Sequence, residues 1–156
     1  MITLEQAKEI ALRLLTVRAR SRGELRAELV KRGADEDIAE QVVERFTEVG
    51  LLNDEDFAQQ WVQQRRRSKS LSRSMLRREL AEKGVSDEVI EFALVDLEDS
   101  EAETALEFAR LRVRTMSGLD RDRIMRRLAG QLARRGFSPG IVQRSVMQVI
   151  SEIGSI

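Results

Sequence analysis

The side chains best equipped for recognition chemistry lie in the stretch RRRSKSLSRSMLRREL, residues 65–80. It holds seven Arg and Lys residues and a single acid, Glu79, in a chain whose formal net charge is zero. The planar guanidinium fork suits phosphate or carboxylate. Such a tract either grips a polyanion or is the solvated face of an ordinary helix. A second basic tract runs from Arg110 to Arg144, with ten bases against Asp120 and Asp122. Acid is gathered elsewhere. Asp87 to Glu107 holds nine acids and no base, and Asp35 to Gln60 holds nine acids and only Arg45.

Other chemistries are poorly provided for. The chain has no His and no Cys. The commonest general base and metal ligand are therefore missing, and so are thiolate chemistry and disulfides. The cluster Asn53–Phe57 (NDEDF) has the look of metal ligands. An EF-hand loop needs Gly at its sixth position and Glu at its twelfth. Counting from Asn53 gives Ala58 and Gln64, and from Asp54 Gln59 and Arg65. The cluster reads instead as a helix N-terminus. Trp61 could stack a nucleobase, but beside Phe57 and Val62 at helical spacing it reads as core. No Gly-rich phosphate loop is present, and no carboxylate pattern suggests acid–base catalysis. The expectation is a protein that is not an enzyme, with no catalytic residue, metal or cofactor. The N-terminal MITLEQAKEIALRLL is not a signal peptide, and no run of apolar residues is long enough to span a membrane. A cytoplasmic location follows.

The elements that position the basic tracts are read from an internal repeat. LRAELVKRGADEDIAEQVVERF from Leu25, LRRELAEKGVSDEVIEFALVDL from Leu76 and LAGQLARRGFSPGIVQRSVMQV from Leu128 share Leu-x3-Leu-x3-Gly-x4-(Ile/Val). Leucines four apart share one helical face. Gly33, Gly84 and Gly136 fall where a helix ends in a left-handed residue. Asp35, Ser86 and Ser138 follow as N-caps, and Pro139 takes a first helical position. Ala34, Val85 and Phe137 stand where a hydrophobic staple packs on Ala39, Ile90 or Val142. A further helix precedes each block. Thr3 with Gln6 and Ser100 with Glu103 read as capping boxes, and Asn53 or Asp54 caps the middle helix. The fold class is all-α: three tandem three-helix modules, residues 1–52, 53–99 and 100–156, in an elongated, curved row.

The charge pattern follows this repeat. Each module turns from its first to its second helix through a basic corner: Arg18, Arg20 and Arg22, then Arg65 to Arg73, then Arg121 and Arg123. A repeated basic corner forms a stripe, which suits a phosphate backbone. A helix-turn-helix DNA reader is disfavoured, because the helices after Gly33 and Gly84 are acidic.

SRGELRAELVKRG, VGLLNDEDFAQQWV, RRELAEKGVSDEVIEFAL and LARRGFSPGIV together resemble the RecX family of bacterial recombinase regulators, over nearly the whole chain. Two positions differ from the common family pattern. Asn53 precedes Asp54 where two Asp are frequent, and Ser72 stands where Gly is frequent. The resemblance implies binding to the RecA recombinase, in the helical groove of its filament on single-stranded DNA. It implies inhibition of ATP hydrolysis, strand exchange and RecA-stimulated cleavage, by blocking filament growth or promoting filament loss. Charge, not the resemblance, selects the contact residues: Arg65, Arg66, Arg67, Lys69, Arg73, Arg77 and Arg78, with Arg121, Arg123, Arg126 and Arg127. They would face acidic RecA surface or the phosphates of single- or double-stranded DNA. A monomer is expected, with no membrane partner. The alternatives are a non-specific DNA-binding protein acting without RecA and a protein-only helical adaptor.

Overall fold

The computed structural model describes residues 1–154 of the chain. Among the described residues there are nine α-helices and no strand. They are α1 Leu4–Val17, α2 Arg22–Lys31, α3 Glu36–Glu48, α4 Asp54–Lys69, α5 Arg73–Glu82, α6 Asp87–Leu94, α7 Glu101–Val113, α8 Arg121–Arg134 and α9 Pro139–Gly154. A short 3-10 turn, Val95–Leu97, follows α6. The last two positions of the expected third module, 155 and 156, lie outside the described residues.

Local chemistry sets most helix starts. The Thr3 hydroxyl accepts the Gln6 N–H at 3.1 Å, and the Gln6 side chain accepts the Thr3 N–H at 2.9 Å, a reciprocal cap. Asn53, not Asp54, caps α4, its side-chain oxygen accepting the Asp56 N–H at 3.2 Å. Asp35, Ser72, Ser86, Asp120 and Ser138 accept in the same way at α3, α5, α6, α8 and α9. The expected cap at Ser100 does not form. The chain reaches α7 through the 3-10 turn, which leaves Ser100 at φ −100°, ψ 0° instead of an extended N-cap conformation. Its hydroxyl donates to the Leu97 carbonyl and accepts from Arg66.

The repeat glycines end the second helices as expected. Gly33, Gly84 and Gly136 have φ of 108°, 78° and 89°. Each turn closes with the same two bonds. Gly33 N–H donates to Val30 and Ala34 N–H to Leu29, with Gly84 to Ala81 and Val85 to Leu80, and Gly136 to Ala133 and Phe137 to Leu132. The second leucine of each repeat thus does two jobs: its side chain is buried core and its carbonyl closes the turn.

The helices gather into two compact units. The first comprises Met1–Trp61 and Glu79–Ala93, and its core includes Ala7, Ala11, Leu25, Leu29, Val42 and Phe46. The second comprises Val62–Arg78 and the chain from Leu94 onward, with a core around Phe108, Leu128, Leu132, Phe137 and Val149. The residues of α4 and α5 are divided between them.

Within each unit the start of one second helix bonds to the end of the next, through different donors. In the first, the buried Ser21 hydroxyl donates to the Lys83 carbonyl at the end of α5, and the Lys83 ammonium meets Glu24 at 3.2 Å. In the second, the Ser72 N–H donates to the Arg135 carbonyl at the end of α8 at 3.0 Å, and Arg135 Nε donates to the Lys69 carbonyl at 3.0 Å. The start of one second helix therefore satisfies a carbonyl at the end of the next, groups that a helix C-terminus leaves without intrahelical partners. The first glycine turn has an analogous cover: the Ile2 N–H donates to the Gly33 carbonyl at 3.2 Å.

Candidate interaction surface

All eleven basic residues selected from the sequence fall in the second unit. Arg65 to Lys69 form the C-terminal part of α4, and Arg73, Arg77 and Arg78 lie on α5. The link between the helices is only 70–72. It docks against the α8–α9 turn, where a Cβ built on Gly136 would meet Met75 Cβ at 3.1 Å. Arg121, Arg123, Arg126 and Arg127 stand on the N-terminal half of α8. Arg127 and Arg135 are separated by two helical turns, about 12 Å at 1.5 Å per residue.

The members of this set are not equivalent. Arg66 is committed internally. Its Nε donates to the Leu71 carbonyl at 2.8 Å, one terminal nitrogen to Ser100, and the other to Glu101. The Arg66 and Glu101 side chains are only 11% and 13% exposed. Burial pulls the Arg66 guanidinium below its usual pKa and Glu101 only partly offsets this, but an arginine stays protonated in a protein, so Arg66 is a charged, structural cation. Glu101 also accepts the Arg73 N–H at 3.1 Å, with Arg73 Nε 3.5 Å away. Arg66 and Arg73 thus close the α4–α5 corner onto α7. Arg65 and Arg77 are half-buried, whereas Arg67, Lys69 and Arg78 are exposed.

Two members of the first basic corner also have partners within the protein, although Arg18 and Arg22 remain exposed. Arg18 pairs with Glu24 at 3.0 Å and Arg20 Nε donates to the Leu14 carbonyl at 3.3 Å. Burial tends to raise the Glu24 pKa, but Arg18, the Ser21 N–H and Lys83 outweigh it, and the net shift is downward. Lys83 also sits over the Trp61 ring at 4.3 Å, while the indole N–H donates to Glu79 and Phe57 stacks beside the ring. These contacts give Trp61 a packing role in the first unit.

The α8 arginines differ. Arg121, Arg123, Arg126 and Arg127 are exposed. Arg123 lies 3.8 Å from Asp120, and Arg126 and Arg127 form no ion pair among the described residues. Arg123, Arg126 and Arg127 together line an open cleft of about 340 Å³. Arg121 and Arg123 occupy the first turn of α8, where the helix dipole disfavours cations. Helix electrostatics therefore does not explain their presence. No group of His, Cys, Asp and Glu suited to a metal occurs among the described residues, and no described helix is long and apolar enough to cross a membrane.

Sequence reasoning missed the cap at Ser21 and the partners of the first two corners. The Ser21-x-x-Glu24 spacing is a legible capping-box signal, and both reciprocal bonds form, at 3.1 and 3.0 Å. The long-range partners Lys83 and Glu101 had no local signal. Arg135, absent from the set, packs over the Phe108 ring at 3.9 Å.

The fold and surface define an all-helical protein of tandem three-helix domains with exposed arginines on the N-terminal half of α8. Three family models match the chain: "RecX, first three-helix domain" at residues 7–46, "RecX, second three-helix domain" at residues 53–94, and "RecX, third three-helix domain" at residues 99–146. The chain belongs to the RecX family. It is 47% identical over 152 residues to Regulatory protein RecX of Streptomyces coelicolor, covering 97% of this chain and 81% of that protein. It is 48% identical over 139 residues to Regulatory protein RecX of Mycolicibacterium smegmatis, covering 86% and 74%. The crystal structure of RecX from Lactobacillus salivarius shares the fold, with a TM-score of 0.79 at 20% identity, covering 94% of this chain and 96% of that one.

Proposed function

We propose that this chain regulates RecA by binding its filament on single-stranded DNA and inhibiting ATP hydrolysis, strand exchange and stimulated cleavage. The protein acts by occupancy, blocking filament growth or promoting disassembly, and performs no chemistry of its own. The observation that carries this reading is membership of a family of regulatory proteins across nearly the whole chain. The exposed cations support it as the contact set: Arg121, Arg123, Arg126 and Arg127 on α8, with Arg67, Lys69 and Arg78. Arg66 and Arg73 contribute by holding the corner, Arg65 and Arg77 from its half-buried flank. The functional partner is acidic RecA surface or DNA phosphate.

The test is RecA ATPase on single-stranded DNA with this protein added below one per RecA monomer. Inhibition is expected, and none at any ratio overturns the reading. A DNA-only mode is separable by salt. If about six phosphates of single-stranded DNA are neutralised, log K falls against log salt with a slope of roughly −4. A flat response removes that alternative.

A further inference from the structure

A groove beside the arginine cleft has a different chemistry. It runs between α8 and α9, encloses about 560 Å³, and is floored by Met125, Ala129, Phe137, Val142 and Val146, with Met147 on its wall. Ala129 and Ala133 follow Met125 at four-residue steps, so the α8 wall is one continuous stripe of small or flexible apolar side chains. Met147 is 48% exposed there despite its apolar character. Arg126 lines both the groove and the arginine cleft, so the two features are continuous. No acid lines either one. From Asp120 to Ser151 the only acids are Asp120, 3.8 Å from Arg123 at the outer end of the cleft, and Asp122.

We propose that this groove receives an acidic amphipathic helix of a partner protein, its apolar face on the Met125–Val146 floor and its carboxylates on Arg123, Arg126 and Arg127. Laying an apolar helical stripe into a groove is a recurrent recognition mode, and methionines adapt such a surface to its occupant. Charge selects the occupant. Only an anionic ligand complements the arginine end, and only an apolar face complements the floor. A nucleic acid strand satisfies the first condition but not the second. Phe137, the one aromatic ring in the groove, is 5% exposed and offers no stacking platform. This inference does not depend on RecA as the target, and its test is independent of RecA.

The probe is a fluorescein-labelled helical peptide with Leu at i, i+3, i+4 and i+7 and Glu at most remaining positions. Controls are the Glu-to-Lys version and a scrambled sequence of the same composition. Anisotropy with the full chain is expected to give saturable binding for the acidic peptide, at least tenfold tighter than for either control. The chain labelled at its methionine methyl groups gives a second readout on the unaltered protein. Met125 and Met147 should shift on binding, while Met75 and Met116, which do not line the groove, stay in place. Ala133→Glu, at an exposed position on the groove wall, should weaken binding at least tenfold. Arg126→Ala with Arg127→Ala should weaken it several-fold and flatten its salt dependence. Equal binding of the lysine peptide overturns the proposal, as does binding that leaves Met125 and Met147 unmoved. It also falls if a single-stranded oligonucleotide moves both methionines and the acidic peptide does not.

Discussion

At the scale of single residues, charge alone does not tell a binding cation from a structural one. Arg66 and Arg67 are neighbours of one type, yet Arg66 ends on Glu101 and Arg67 on solvent. Breaking a buried pair leaves an uncompensated charge. Glu101→Gln should therefore cost about 3 kcal/mol of unfolding free energy, read by urea denaturation. The exposed Arg126 and Arg127 predict the opposite division of effects. With Arg123, their replacement by Ala should raise the concentration needed to inhibit RecA ATPase about tenfold while leaving the melting temperature unchanged. Unchanged inhibition would make α8 a bystander. Glu152 offers a pH test. Arg110, reaching across from α7, and then Gln148 hold its carboxyl down at about 2. A depressed carboxylate pKa contributes stability that is present above its unfolded value and lost as pH falls through the folded one. NMR titration should place the Glu152 midpoint near 2, and Arg110→Ala should return it towards the ordinary carboxylate range. A midpoint unaffected by Arg110→Ala would mean that the pair does not form in solution.

At the scale of elements, the repeated glycine turns differ in what surrounds them. Gly33 has φ 108°, and its nearest obstacle to a Cβ is Ile2 Cγ2 at 3.7 Å. Gly84 has φ 78° with Gly23 Cα 3.0 Å from its added Cβ, a backbone atom that cannot step aside. At Gly136, φ 89°, the Cβ would lie on Ser72 Oγ, which already caps α5 by accepting the Met75 N–H at 3.0 Å. Turning that hydroxyl away gives up the cap. Gly33→Ala should cost about 1 kcal/mol, the left-handed penalty alone. Gly84→Ala and Gly136→Ala should each cost more, about 2 kcal/mol or above, because a close contact is added to the conformational strain. Thermal denaturation of the three variants gives the order. Equal losses would mean that the tight docking at the later turns carries no energetic weight.

At the scale of the whole molecule, zero net charge conceals separation. Acid collects on α3 and α6 and base on α4, α5 and α8. If the exposed cations carry the interaction, inhibition of RecA should weaken as salt rises, since screening shortens the reach of surface charge to about 8 Å at physiological ionic strength. Helicity, held by two apolar cores, should not change over the same range. Inhibition indifferent to salt would shift the weight from the arginines to apolar contact such as the α8–α9 groove.

What the sequence determined by itself is local. Leucines four apart, Gly at the turn and Ser or Asp two residues on specify helix, turn and helix from neighbours within a few residues, and the leucines, glycines and caps of the three repeats stand where that pattern requires. Ser100 failed because its cap depends on the conformation in which the chain arrives, and a 3-10 turn precedes it. The fate of each arginine was decided only in three dimensions. Its partner is a carboxylate or carbonyl brought near by packing, as Glu101 meets Arg66 from 35 residues away and the Lys69 carbonyl meets Arg135 from 66. Charge is written residue by residue. Whether a cation remains available depends on what the fold sets opposite it, and on α8 the fold sets an apolar groove beside three arginines.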